Sequence, residues 1–169
     1  MNHNKIIQEL TRNKLVFNES LTGLTDEEFL WKQNPEKWCL LEIICHLYDE
    51  EREDFRTRTK QVLESPELPL PKIDPVGWVI ERKYLQRNFS EKLKDFLSER
   101  EQSVKWLQSL KNPKWENAYN HPKLGKMTAK LILANWLAHD YLHIRQITKL
   151  KYDHLKSKSD ADLSYAGNW

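Results

Sequence analysis

Glycine, cysteine and long apolar runs are all scarce in this chain of 169 residues. It contains 4 glycines and 2 cysteines, and a shortage of glycine is typical of long helices joined by few tight turns. No segment approaches the roughly 20 apolar residues that a membrane-spanning helix needs, and the N-terminus lacks the apolar core of a signal peptide. We therefore expect a cytoplasmic protein that does not bind membranes.

The two cysteines give no sign of a disulfide framework. Cys39 and Cys45 lie on one predicted helix, point in different directions and are too far apart along its axis to form a bond. Reduced thiols agree with a cytoplasmic location.

An excess of charge of one sign is lacking as well. Lysine and arginine number 27, aspartate and glutamate 25, and the net charge is +2. A nucleic-acid-binding protein normally carries a concentrated basic face. The most basic stretch, residues 149–158, lies at a predicted helix end, where cations complement the helix dipole. We expect no nucleic-acid partner.

Apolar periodicity predicts four long helices, over about residues 4–21, 40–63, 90–110 and 128–152, with a capping-box pattern opening a short turn over 25–31. Leu15 is among the residues expected on the apolar face of the first helix. The proline-rich segment 65–75 predicts an extended crossover outside the bundle. No alternating pattern indicates a strand. The predicted fold is all-α, a four-helix bundle with a long proline-rich crossover, in one domain over residues 4–169.

The second half of the second helix, residues 49–58, is heavily charged. For most of these charges we favour ion pairs on a solvent-facing surface. The alternative is that this half of the helix lines a polar cavity.

Two histidines provide the main indication of function. His139 and His143 are four residues apart in a strongly helical segment, so both imidazoles lie on one helix face, which is otherwise apolar. Two buried imidazoles without partners cost about 1–3 kcal/mol each, and the pair therefore predicts a metal site. His46, on the apolar second helix, is the candidate third ligand. Three neutral nitrogens leave coordination positions open for water and substrate.

Two carboxylates lie close to these histidines in the sequence. Glu50 is one helical turn after His46 and is a candidate fourth ligand, hydrogen-bond acceptor or general base; the competing interpretation is a place on the exposed, charged half of the helix. Asp140 follows His139 and is a candidate to orient a ligand through its second ring nitrogen, with a solvent-facing carboxylate as the alternative. Gln146 is placed at the rim of the site.

These residues also resemble a known family. Segments 38–51, 121–128 and above all 139–147 resemble the DinB-like superfamily of metal-binding four-helix bundles, and residues 165–169 are similar to tails of several members. The resemblance implies an up-down-down-up bundle in which His46, His139 and His143 hold a divalent metal ion (zinc, nickel or iron). It also implies a homodimer. The two aromatic residues of the tail are candidates to dock back onto the body.

The resemblance implies a small-molecule substrate and several activities. The superfamily includes S-transferases and isomerases that use bacillithiol, mycothiol or glutathione, proteins described as metal-dependent hydrolases, and members of no known activity. Our first hypothesis is a metal-dependent enzyme that transfers a low-molecular-weight thiol to a small electrophile. The alternatives are a metal-dependent hydrolase with Glu50 or Asp140 as base, and a non-enzymatic stress-response or binding module.

Overall fold

The structure, a computed structural model, describes residues 2–167. Its elements are α1 (His3–Leu21), α2 (Asp26–Leu30), α3 (Leu40–Asp49), a π-helical segment (Glu50–Arg56), α4 (Thr57–Glu64), α5 (Trp78–Glu81), a 3-10 turn (Tyr84–Gln86), α6 (Phe89–Ser109), strands β1 (Ala118–His121) and β2 (Gly125–Thr128), α7 (Ala129–Lys158) and a final 3-10 turn (Leu163–Ala166). None of the helices within this range combines the length and apolar composition that crossing a bilayer requires.

Four long helical rods form the bundle, and α3, the π segment and α4 together make one of them. Successive contacts show that α1 runs parallel to α7 and that the α3–α4 rod runs antiparallel to α7 and parallel to α6. The order is up-down-down-up. Two parallel neighbours cannot be joined by a tight turn, so a long crossover between α4 and α6 is required. The predicted four-helix bundle with its long crossover is confirmed.

Helix ends follow local capping. The Thr128 hydroxyl oxygen accepts a hydrogen bond of 3.0 Å from the Leu131 backbone N–H and begins α7 as predicted. A capping box begins α2, also as predicted. The sequence predicts that the third long helix begins at about residue 90, but the cap of α6 is Asn88. Asn88 accepts from the backbone N–H of Glu91, so the helix begins slightly earlier than the sequence suggested.

The structure differs from the sequence expectations at the hairpin, at Leu15 and at Tyr165. Residues 118–128 form a short antiparallel hairpin, whose four-residue strands are too brief for an alternating pattern to be evident. Leu15 is 63 % exposed, and Asn13 takes the inward position instead. Tyr165 in the tail is fully exposed, while Trp169 lies outside the residues that the structure describes.

The charged half of the second rod is more buried than predicted. Glu50, Glu51 and Phe55 are 4 %, 1 % and 8 % exposed, and all three lie in the π-helical segment. The solvent-facing interpretation is therefore wrong for this part of the rod, because charged and polar groups of the other helices face it across the bundle. π-helical turns are frequently found at functional sites.

A polar layer crosses the bundle between two apolar clusters. One cluster holds the C-terminal half of α1, α3, the start of α6 and the end of α7, and the other holds the opposite ends of the same rods. Most of the buried polar residues lie between the two clusters along their rods, with His46 at the edge of the first cluster. Those between the clusters are Asn13, Asp49, Glu50, Glu51, Arg100, Ser103, Asp140 and His143. This layer positions the candidate site.

Candidate metal centre

Three histidines from two antiparallel rods converge in the polar layer. Nε2 of His139 lies 3.2 Å from Nε2 of His46 and 3.1 Å from Nε2 of His143. One ligand atom from each residue falls within 4.8 Å of the other two. We call this group the histidine cluster. The structure thus brings together the three residues that the sequence analysis nominated as ligands.

The spacing of these nitrogens fits a shared cation. Two nitrogens bound to one ion at about 2.0–2.1 Å stand roughly 2.8–3.4 Å apart when the angle between them is right-angled to tetrahedral. The two Nε2 contacts of His139 fall in that range. A neutral imidazole has a single N–H, so His139 cannot donate to both neighbours. A divalent cation satisfies all three lone pairs at once, and the residues therefore fit one.

Gln146 sets the tautomer of one histidine. Its Oε1 lies 2.8 Å from Nδ1 of His143, so Nδ1 carries the proton and donates it. The Nε2 atom of His143 is then left with a free lone pair facing the other two rings. A hydrogen bond to the second ring nitrogen is the usual way in which proteins orient a metal-binding histidine.

Burial keeps the histidine cluster neutral. Desolvation, followed by the charge of His143, lowers the pKa of His46 from 6.5 to about 3. Desolvation and the two neighbouring imidazoles lower the pKa of His139 to about 2, and burial also lowers the pKa of His143. Neutral imidazoles are the form that binds metal ions, so the environment prepares these rings for a cation at neutral pH.

Glu50 is buried beside its own helical neighbour rather than exposed. Burial and the nearby carboxyl group of Asp54 raise the pKa of Glu50 from 4.5 to about 8, and burial also raises the pKa of Asp54. Within the described part of the chain, Oε1 of Glu50 has no hydrogen-bond partner. The exposed alternative is therefore wrong for Glu50, and burial favours the neutral form of its carboxyl group.

Asp140 belongs to a second buried group. Its two carboxylate oxygens accept hydrogen bonds of 2.6 and 2.7 Å from the guanidinium of Arg100, and Oδ2 also accepts one of 3.0 Å from Asn13. The same guanidinium donates to both oxygens of Glu51 at 2.9 Å, and Trp136 Nε1 donates to Glu51 as well. We call these five residues the ionic network. Asp140 is 0 % exposed, so the solvent-facing alternative is wrong.

The amino-acid sequence places the chain in a known family. Residues 9–147 match the family model of the DinB superfamily. The chain belongs to the DinB superfamily. Among curated proteins, none matches it in sequence.

A solved structure shows the same architecture as this DinB-superfamily chain. It is YfiT from Bacillus subtilis, described as a probable metal-dependent hydrolase with an unusual four-helix bundle topology. The two share 19 % sequence identity with a TM-score of 0.79, over 90 % of this chain and 87 % of YfiT. At this identity the likeness establishes a common fold.

A cavity of ≈ 630 Å³ opens beside the histidine cluster. His143 and Gln146 form part of its wall on α7, and Trp38 and Lys37 line it from the loop that precedes α3. The Trp38 ring also packs on the ring of His46 at 5.0 Å between centroids. A volume of this size is in the range of small-molecule sites.

The sequence analysis missed the ionic network, although one signal was present. Arg100 lies on the same face of α6 as the buried residues Phe96 and Val104, so a charged residue interrupts an apolar stripe. An arginine is almost never fully buried unless it is paired. That position therefore indicated a buried acidic partner, which only the fold identifies.

Proposed function

We propose that this protein is a metal-dependent enzyme that transfers a low-molecular-weight thiol to a small electrophile, with His46, His139 and His143 holding a divalent ion. Zinc and nickel are the first candidates and iron the next. The observation that carries the proposal is the convergence of three neutral imidazole nitrogens beside a cavity of small-molecule size. Three protein ligands leave room for a substrate, whereas a purely structural ion usually has four.

The thiol has to come from outside the chain. Both cysteines are free and buried. Burial raises the pKa of Cys39 to about 11 and that of Cys45 to about 12, so neither forms the thiolate that acts as a nucleophile. A bound divalent ion supplies Lewis acidity, which lowers the pKa of a thiol or a water molecule toward neutrality.

The residues around the cluster have separate roles in this proposal. Gln146 holds His143 in the orientation that exposes its Nε2 lone pair. The Trp38 ring covers one side of His46 and excludes water there. Glu50, buried one helical turn from His46, holds or releases a proton at its unpartnered Oε1 atom. Asp140 is engaged by Arg100 and Asn13, and we assign it a positioning role rather than that of the base.

Hydrolysis is the second candidate, and one feature favours it. The pKa of Glu50 is raised to about 8, close to the working pH that suits a general acid or base. The description of the neighbour YfiT as a probable metal-dependent hydrolase agrees with this alternative. In it, Glu50 takes the proton of the attacking water and returns it to the leaving group.

Thiol consumption in the metal-loaded protein tests the first proposal. The protein is loaded separately with zinc, nickel and ferrous iron, and its reaction with a chlorinated aromatic electrophile is followed with bacillithiol, mycothiol, glutathione and cysteine. We expect metal-dependent turnover with at least one thiol, which His139→Ala abolishes. His121→Ala, which removes a histidine of the hairpin, is the matched control and keeps the activity. No turnover with any thiol and any metal overturns the proposal.

Glu50→Gln separates the two enzymatic candidates. With activated ester and amide substrates, loss of a general base reduces the rate by roughly 10²–10⁴ while the bound metal is retained. Glu67→Gln, at an exposed position in the crossover, is the matched control. Unchanged ester and amide turnover in Glu50→Gln removes that residue as the base. No ester or amide turnover in the unmodified metal-loaded protein removes the hydrolase candidate and leaves thiol transfer.

A non-enzymatic module is the remaining alternative, and elemental analysis distinguishes it. An enzyme of either kind retains close to one equivalent of metal after purification in the absence of chelators. A protein that holds no metal, and that zinc, nickel and iron do not stabilise, contradicts both enzymatic candidates together.

A further inference from the structure

The cavity beside the histidine cluster is basic on both of its walls. Lys37 contributes a cation from the loop before α3, and Arg145 and Lys149 contribute cations from α7. Arg145 and Lys149 are four residues apart, so they lie on the same helix face. The acidic side chain that lines the cavity is Asp153, and it forms an ion pair with Lys149. The charges that line the cavity therefore sum to +2.

Two of these cations have no partner in the part of the chain that the structure describes. Among residues 2–167, no acidic side chain lies within ion-pair distance of Lys37 or Arg145. Both are exposed, in contrast to Arg82, Arg56 and Arg58, which are paired with carboxylates. Charges of one sign that line a cleft raise the local concentration of ligands of opposite charge.

The cavity connects these cations with the reactive end of the site. His143 lines it directly, and Trp38 both lines it and packs on His46. A molecule that fills the cavity therefore reaches from the histidine cluster to Arg145, two residues beyond His143 on α7. We propose that the small substrate of this site carries an oxyanion, a carboxylate or a phosphate, that Lys37 and Arg145 bind while its reacting atom lies at the histidine cluster. The inference rests on the proposed function.

Binding of small probes tests the oxyanion site without relying on turnover. The metal-free protein is titrated with succinate, inorganic phosphate and succinamide at constant ionic strength, and the backbone and indole N–H signals are followed by NMR. We expect succinate or phosphate to shift the signals of Trp38 and Arg145 and to bind at least about tenfold more tightly than neutral succinamide. Whether succinate or phosphate binds more tightly tells which oxyanion the site prefers.

Two double variants with the same change in net charge provide the control. Lys37→Gln/Arg145→Gln is expected to weaken binding of the preferred anion roughly 25-fold, at about fivefold for each exposed cation. Lys123→Gln/Lys126→Gln removes two exposed lysines of the hairpin, about 20 Å or more away along α7, and is expected to change binding less than twofold. Equal binding of succinamide, no shift with either anion, or the same loss in both double variants overturns the inference.

A matched pair of thiols provides a second measurement in the metal-loaded enzyme. For anionic 3-mercaptopropionate, Lys37→Gln/Arg145→Gln should raise KM with little change in kcat, whereas KM for neutral 2-mercaptoethanol should stay constant. Equal effects on both thiols contradict the inference. If the oxyanion inference is wrong and the proposed function is right, the unmodified protein still binds metal and still turns over thiols. The two proposals can therefore fail separately.

Discussion

The polar layer contains two buried groups that differ in how far their hydrogen bonds are satisfied. In the ionic network, the Arg100 guanidinium donates to both Glu51 and Asp140, and Asn13 and Trp136 add the remaining donors. In the histidine cluster, the Nε2 atoms contact one another. Within the described residues, the Nδ1 atom of His46 has no partner at all.

This difference separates a structural group from a binding group. A fully paired buried network has no donor or acceptor left for a ligand, and it links α1, the π segment, α6 and α7. The histidine cluster has unused lone pairs at its centre, and buried polar atoms in that state require a partner. The four predictions below test the comparison, from the largest expected effect to the smallest.

Replacing Arg100 with methionine should cause the largest loss of stability. The change leaves Glu51 and Asp140 buried without their counter-charge, and breaking a buried ion pair in this way costs about 3–5 kcal/mol. Chemical denaturation measures the free energy of unfolding, and the loss should be the same with and without metal. Arg12→Met, at an exposed position of α1, is the control, with a change within about 0.5 kcal/mol. A loss below about 1 kcal/mol for Arg100→Met would contradict a structural role.

Replacing His139 with alanine should instead remove the response to metal. Zinc at 1,000 times its dissociation constant adds about 4 kcal/mol to the stability of a protein that binds it only when folded. We expect this increment in the unmodified protein and in His121→Ala, but not in His139→Ala. The measurement is denaturation with zinc and with a chelator. An increment that persists in His139→Ala places the metal elsewhere.

Acid should destabilise the metal-free protein through the histidine cluster. The pKa values of His46 and His139 in the folded protein, about 3 and about 2, lie below the ordinary 6.5. Between these values the unfolded chain binds more protons, so stability falls with falling pH by about 1.4 kcal/mol per unit for each histidine. Glu50 acts in the opposite direction, because its pKa is raised from 4.5 to about 8; it favours the folded state increasingly as pH falls through that window.

The balance of these groups gives a defined profile. From pH 6.5 to 4.5 the histidines outweigh Glu50, because burial lowers the pKa of His143 as well as those of His46 and His139. Stability therefore falls with falling pH, and below 4.5 the opposing contribution of Glu50 ends and the loss steepens. Denaturation at several pH values in the presence of chelator measures the profile. Glu50→Gln should steepen it above pH 4.5, and His46→Gln should flatten it. An identical profile in His46→Gln would contradict the assignment.

Replacing Gln146 with leucine should have the smallest effect on folding and a specific effect on metal. The change removes the acceptor that fixes the tautomer of His143, and loss of such a partner typically weakens metal binding 10–100-fold. Competition with a chromophoric chelator measures the affinity. Gln146→Glu keeps the acceptor and should restore it, and Gln33→Leu, in the wall of the same cavity, should leave it unchanged. Equal affinity in Gln146→Leu would show that the hydrogen bond does not orient the ligand.

Sequence reasoning succeeded where the signal is local. Four apolar stripes with helical spacing predicted the four rods, and the predicted start of the last rod at about residue 128 agrees with the Thr128 cap of α7. The spacing of His139 and His143 placed both rings on one face. Each of these features depends on neighbours within one or two helical turns, which the sequence displays directly.

Sequence reasoning failed where a partner lies far along the chain. Glu51 appeared to be one more charge in a charged helix, yet its partner Arg100 is 49 residues away. Asn13 and Asp140, which bond across 127 residues, gave no local sign of pairing. A buried charge is tolerated only when a partner of opposite charge is present. The apolar periodicity of a sequence does not indicate which helical rods pack side by side.

The amino-acid sequence by itself determined the helices, their apolar faces and the identity of three candidate ligands. The tertiary structure alone decided that His46 meets His139, 93 residues away, with their Nε2 atoms 3.2 Å apart. It also decided that Asp140 faces Arg100 while the adjacent His139 faces the other histidines. The reason is physical: helix formation depends on local hydrogen bonds, whereas the pairing of buried polar groups depends on how whole rods pack.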